Sequence, residues 1–335
     1  MSEITFIAGG ATAAQGFSAT GEHMGIRRNR TRRDVALIVS EVPANAACVY
    51  TQNLVKGAPI LVTQKHVENG IAQAVICNSG NANTCNANGV EIAEGMCALV
   101  EKYIGVKAED VIVASTGVIG QPLSLQPISD GMQSLVDALS PDGSVDAANA
   151  IMTTDTMKKE LAVSCMVGGK TVTIGAIAKG SGMIHPNMGT MLCFVTTDCA
   201  VTQEMLSDAL HEIVPRTFNR VTIDGDTSTN DMCVVLANGM AENPLIEWKD
   251  DNYTVFYKTL YSVFEQLARS IAADGEGASK LITCTVRNAR SEESAERLSK
   301  SVVGSSLVKA AMFGSDANWG RVLCAMGYSK APFRP

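Results

Sequence analysis

The chain has 335 residues, 46% of them apolar and 18% charged, with a formal net charge of −7. That is enough material for one large core or two lobes, and the acidity argues against a nucleic-acid-binding surface. The N-terminus lacks the plan of a signal peptide, no apolar run is long enough to span a bilayer as a helix, and the ten cysteines form no Cys-x-x-Cys pair, so the expectation is a cytoplasmic protein with reduced thiols.

Strands and helices alternate along the chain. The basic run from Arg27 to Arg33 reads as a solvated loop, with binding of an anionic group such as a coenzyme phosphate as its sharper alternative. Short buried strands are expected over residues 34–40, 46–51 and 73–77, a helix over 90–103, a strand over 111–115 and a helix over 127–139. Residues 171–178 form the next predicted strand, and after a glycine- and proline-rich loop Thr190 begins another, through about Thr196. Thr202 is placed to cap a helix running to Val214. Glycine, proline and charge cluster over residues 238–252, a candidate lobe boundary; then come a long helix over 253–272, a strand over 280–286 and a helix over 294–312. The fold class is therefore α/β, with layered sheets covered by helices.

Thr190 lies in Lys179-Gly-Ser-Gly-Met-Ile-His-Pro-Asn-Met-Gly-Thr-Met-Leu-Cys-Phe194. A threonine hydroxyl is a weak nucleophile at neutral pH. It becomes a useful one when it begins a chain, because its own α-amine, titrating near ~8, serves as general base. Cleavage of the Gly189–Thr190 bond creates such a terminus, and Gly180, Gly182 and Pro186 suit the bent loop it needs. The same residues, read alone, also describe a plain strand–turn–strand with a buried threonine. Asp224, Asp226, Asn230 and Asp231 are oxygen ligands at short spacing but miss the EF-hand plan, so a hydrogen-bonded turn is expected there and no metal. His185 stands five residues before Thr190, and His23, His66 and His211 show neither triad nor metal spacing.

Lys179-Gly-x-Gly-Met-Ile-x-Pro-x-Met-x-Thr-Met-Leu192 resembles the self-cleavage segment of the ornithine acetyltransferase (ArgJ) family. Further blocks agree in order: Asn78 to Asn83, Thr153 to Thr156, Asn219 to Asp231, Ala273 to Thr283 and Gly314 to Arg321. The resemblance implies an ArgJ/DmpA-like self-processing fold and a glutamate N-acetyltransferase. Such an enzyme moves acetyl from N2-acetyl-L-ornithine to L-glutamate through an acetyl-threonine on Thr190. It implies that Thr116 and Gly117 stabilise the oxyanion and that Thr153, Lys179, Thr190 and Glu276 bind substrate. Lys179 would pair with the α-carboxylate and Glu276 with the ornithine ammonium. No cofactor is implied, acetyl-CoA being a second acetyl donor in some members.

Two packed fragments, 1–189 and 190–335, would assemble into a homo-oligomer. Two departures stand out. Gly189 replaces the usual alanine, and the C-terminal tail of several dozen residues that the family adds to the substrate site is absent. The alternatives are an amidase/aminopeptidase-like hydrolase on the same scaffold and an inactive truncated remnant.

Overall fold

The structure, a computed structural model, describes residues 4–185 and 191–334. Thr190 and Gly189 lie outside the described residues. Among the described residues nine strands form one hydrogen-bonded sheet in the order β1-β6-β7-β8-β9-β3-β4-β5, with β2 pairing off this path with β3. The strands are β1 (Thr5–Ile7), β2 (Phe17–Glu22), β3 (Val35–Tyr50), β4 (Ile71–Asn81), β5 (Val111–Val118), β6 (Lys159–Val167), β7 (Lys170–Lys179), β8 (Leu192–Thr197) and β9 (Met232–Ala237). Between and after them run α1 (Ala58–His66), α2 (Gly89–Ile104), α3 (Gln126–Asp137), α4 (Ser144–Ile151), α5 (Gln203–Arg216), α6 (Asp251–Ala273), α7 (Glu292–Gly304), α8 (Ser306–Phe313) and α9 (Trp319–Gly327).

β3 organises the architecture. Its first half pairs with β2 and β4, and its second half, from Asn45 to Tyr50, pairs with β9. The register shifts between Val39 and Ala44, where Glu41, Val42 and Pro43 are exposed. Pattern alone reads two strands here, because a charge and a proline interrupt the apolar run. The interruption is instead an irregularity within one continuous strand, where a proline costs no ladder hydrogen bond.

The two halves of the sheet face each other, and alternate side chains sort into separate cores. Ala36, Ile38, Val75 and Ile112 from one half meet Ile177, Phe194, Val234 and Leu236 from the other, with the alanines of α4 between them. Val35, Leu37, Ile76 and Val113 point the opposite way, onto α2 and α3. Val163, Ile174, Val195 and Val235 pack outward onto Leu206 and Leu210 of α5 and onto Phe256 and Phe264 of α6. The result is a helix–sheet–sheet–helix stack, and strands buried on both faces explain the unbroken apolar runs of the sequence. Thr202 caps α5, accepting the Met205 N–H at 3.4 Å. All ten cysteines are free, Cys77, Cys165 and Cys233 among the buried ones. Among the described residues no helix is long and apolar enough to cross a membrane.

Two expectations are corrected near the C-terminus. The strand expected over 280–286 has no ladder partner among the described residues; its residues alternate between exposed and half-buried without joining the sheet. Alternating β-branched residues satisfy a strand pattern, but only a neighbouring strand makes one. The helix expected over 294–312 is two helices, because the Ser305 side chain accepts the Val308 N–H at 3.3 Å and starts α8 afresh.

Candidate active site

Three strand ends converge around Lys179 and Met191. Lys179 ends β7, and its register partner Leu192 begins β8. Leu192 in turn pairs with Met232, the first residue of β9. Met191 is locked to the same edge, its carbonyl accepting the Met232 N–H at 2.9 Å. Thr190 immediately precedes this fixed residue in the chain.

From the other half of the sheet comes the end of β5. Lys179 Nζ donates to Thr116 Oγ1 at 3.2 Å, and both residues are buried. An ammonium can only donate, so the Thr116 hydroxyl accepts and its own hydrogen is left to point elsewhere. That is the polarity an oxyanion donor requires. Thr116, Lys179, Gly182, Met191 and Asn230 line one small pocket, together with Asp231.

Gly117 follows with φ of +134°, and a Cβ there would lie 2.3 Å from the backbone carbon of Gly80 on β4. No other residue fits this crossing of strand ends. The loop before β9 clamps the same corner: Asn230 Nδ2 donates to the carbonyls of Ala82 at 2.6 Å and Ser115 at 3.0 Å. Its Oδ1 accepts from Thr84 Oγ1 at 2.6 Å. Taken only as a turn residue in the sequence, Asn230 joins the two halves of the sheet beside Thr116.

The expected substrate-binding residues occupy three segments, tied together from below. Lys159 Nζ sits between Asp155 Oδ1 at 2.8 Å and Asp274 Oδ2 at 2.6 Å, with all three side chains almost fully buried. Asp155 also accepts the Gly180 N–H at 2.8 Å and the Thr153 N–H at 3.0 Å, fixing the loop of Thr153 to the end of β7. The carbonyl of Asp274 accepts from Ser181 Oγ at 2.7 Å, and the Ser181 carbonyl accepts the Glu276 N–H at 3.0 Å. Glu276 is exposed, its carboxylate lying against Gly182, where a Cβ would come 2.2 Å from Oε1. Thr153, Lys179 and Glu276 therefore ride on one hydrogen-bonded frame. Within it, Asp155 carries the desolvation cost of burial, which is outweighed by Lys179 and Lys159, so its carboxyl is held below the ordinary value. Burial pulls the Lys179 ammonium down, while Asp155 and Asp231 push it back up.

The acids between residues 224 and 231 divide their labour. Asp224 accepts the N–H groups of Met183 and Ile184, the latter at 2.9 Å, and so shapes the loop leading toward Thr190. His185 Nδ1 is spent on Thr222 Oγ1 at 2.9 Å, and burial with Lys300 and Lys309 holds the ring below its usual pKa. Asp231 is buried, and its Oδ2 has no hydrogen-bond partner among the described residues. Burial raises its pKa well above the ordinary 3.8, against the pull of Ser228, Lys179 and the Met191 N–H.

The folded protein thus keeps a proton that the unfolded chain loses above about 3.8. The associated stability is fully present below that value and is lost as pH rises toward the folded pKa. Asp231→Asn removes this decline. Its stability relative to wild type, measured by urea unfolding, is expected to increase from pH 4 to pH 7; a flat difference would refute the assignment.

The ArgJ family model matches residues 18–335. The arginine biosynthesis bifunctional protein ArgJ of Symbiobacterium thermophilum is 53% identical over 332 residues, covering 98% of this chain and 83% of that protein. The protein of the same description from Bacillus subtilis is 46% identical over 331 residues, covering 98% and 80%. Among solved structures, a chain of arginine biosynthesis bifunctional protein ArgJ from Bacillus halodurans superposes with a TM-score of 0.53 at 42% identity, covering 56% of this chain and 99% of its own. With a family match over nearly its whole length and relatives of this identity, the chain belongs to the ArgJ family of arginine-biosynthesis enzymes.

Proposed function

We propose that this protein is a glutamate N-acetyltransferase that takes acetyl from N2-acetyl-L-ornithine onto Thr190 and passes it to L-glutamate. The observation that carries the reading is the Lys179–Thr116 contact at the strand ends, where Leu192, two residues after Thr190 in the sequence, is the register partner of Lys179.

In maturation, Thr190 Oγ attacks the Gly189 carbonyl, the peptide C–N bond breaks, and water hydrolyses the resulting ester. This leaves a carboxylate on Gly189 and a free α-amine on Thr190. In turnover that amine takes the hydroxyl proton as Oγ attacks the acetyl carbonyl, and the oxyanion is met by the Thr116 hydroxyl and the Gly117 N–H. The proton passes to the departing ornithine amine, leaving acetyl-Thr190. The amine of glutamate then attacks this ester, and the threonine oxygen recovers its proton. Lys179 pairs with the α-carboxylate, Thr153 borders it and Glu276 meets the ornithine ammonium.

No cofactor takes part, and acetyl-CoA is a second acetyl donor at the same ester. Fragments 1–189 and 190–335 stay interleaved in one sheet and assemble into homo-oligomers.

Intact mass under denaturing conditions tests the reading: two species meeting between Gly189 and Thr190 are expected. With acetyl-ornithine and glutamate supplied, N-acetylglutamate is expected as the product. One uncut mass, or free acetate in its place, overturns the proposal.

A further inference from the structure

In a double displacement, donor and acceptor amines visit the same ester in turn, and Lys179 orients both through their α-carboxylates. Their side chains end in opposite charges. Glu276 suits the ammonium of ornithine and repels the carboxylate of glutamate, so a pocket with that residue alone disfavours its own acceptor. Lys159 is committed to Asp155 and Asp274, and Lys179 to the shared α-carboxylate. A separate cation on the Thr153 side of the site offsets that repulsion.

The basic run supplies one. Arg32 Nη1 donates to the carbonyl of Thr153 at 2.9 Å, and its side chain is otherwise exposed. Arg27 donates to the neighbouring Met152 carbonyl, and its Nε is buried without a hydrogen-bond partner among the described residues. The Arg27 stem lies across Gly80, where a Cβ would come 2.8 Å from Arg27 Cγ, and Gly80 is the register partner of Gly117. The pair is therefore set between Thr153 and the strand end that carries Thr116.

Arg33, by contrast, is paired with Asp146 at 2.9 Å. Neither Arg27 nor Arg32 has a carboxylate partner within ion-pair distance among the described residues. Burial and the nearby charge of Arg32 lower the Arg27 pKa, with the more distant charges of Asp34 and Asp155 opposing them.

We propose that Arg32, with Arg27 behind it, is the subsite for the side-chain carboxylate of the amino-acid acceptor. The inference rests on the acetyl-transfer reading above. A guanidinium offers a planar fork to a carboxylate, with donors to spare beyond the single bond to Thr153. Loop and β7 are held together by Asp155, so the cation is fixed relative to Lys179, and the two together select a dicarboxylic amino acid. Donor and acceptor thus use different charged groups: Glu276 for the ammonium, Arg32 for the carboxylate.

Steady-state kinetics of Arg32→Gln test this. The KM for glutamate is expected to rise about tenfold, while the KM for acetyl-ornithine falls, because a repelling cation has gone. Opposite signs distinguish a charge subsite from general damage to the fold. Arg32→Lys should recover part of the loss, and the preference for glutamate over glutamine should shrink in Arg32→Gln. Arg30→Gln, in the same exposed run, controls for the long-range field and should leave both constants within twofold.

A glutamate KM within twofold of wild type in Arg32→Gln overturns the proposal. So does a rise confined to acetyl-CoA, which would assign the arginines to coenzyme phosphates. Acetyl-Thr190 formed from acetyl-ornithine without glutamate, read by mass, checks the underlying reading separately; its absence in wild type overturns acetyl transfer itself.

Discussion

A Thr190→Ala chain is expected to remain one full-length polypeptide and to transfer no measurable acetyl group. The substitution removes the only atom that can form the ester, so self-cleavage and turnover are lost together. With cleavage gone there is also no free α-amine at position 190 to act as base. A loss of more than about 10³-fold in kcat follows, since the remaining oxyanion donors and binding groups have no acceptor oxygen to serve. Thr190→Ser keeps the oxygen and should still cut and turn over, more slowly if the missing methyl loosens the attack geometry. Intact mass and chromatography of N-acetylglutamate read both steps. Acetyl transfer in the alanine variant at a tenth of the wild-type rate would show that another residue carries the acetyl group.

The second large effect is expected at Thr116. Thr116→Val keeps the volume at the end of β5 and deletes the hydroxyl that accepts from Lys179 and turns its hydrogen toward the pocket. Removing one oxyanion donor costs about 10²–10³-fold in kcat, and the KM should move far less, because the charge it meets exists only in the transition state. Self-cleavage passes through an oxyanion on the Gly189 carbonyl, so its rate should fall in parallel. Thr116→Ser restores the donor and should restore most of both rates. A kcat within tenfold of wild type in Thr116→Val would remove this residue from the oxyanion site. The valine also leaves a buried Lys179 ammonium short of one acceptor, and the serine variant separates that effect from the loss of catalysis.

The expectation at Thr190 came from the resemblance to the ArgJ family, because the glycines, the proline and the apolar run taken alone read equally as a strand–turn–strand. Helices α2, α5 and α6 were legible from local pattern, since an amphipathic stripe needs only 3.6-residue periodicity. β3 was misread as two strands, because an irregularity within a strand and a loop look alike until a neighbouring strand is seen to bridge it. The strand expected over 280–286 failed for the converse reason, a pattern without a partner.

What the sequence determined by itself is the family, the α/β character, the candidate nucleophile and the residue types able to serve it. All of these are properties of short segments and their order. What only the tertiary structure decided is how those segments meet. Nothing in the spacing of Thr116 and Lys179, sixty-three residues apart, places them at 3.2 Å; the face-to-face halves of the sheet do. Lys159 belongs to no motif in the sequence, yet burial between Asp155 and Asp274 makes it the tie beneath the segments that carry Thr153, Lys179 and Glu276. Asp231 reads as one acid of a polar turn and becomes a buried carboxyl whose pKa desolvation raises well above its ordinary value. Desolvation and long-range ion pairing depend on what surrounds a group in space, and one chain written in order does not state its neighbours.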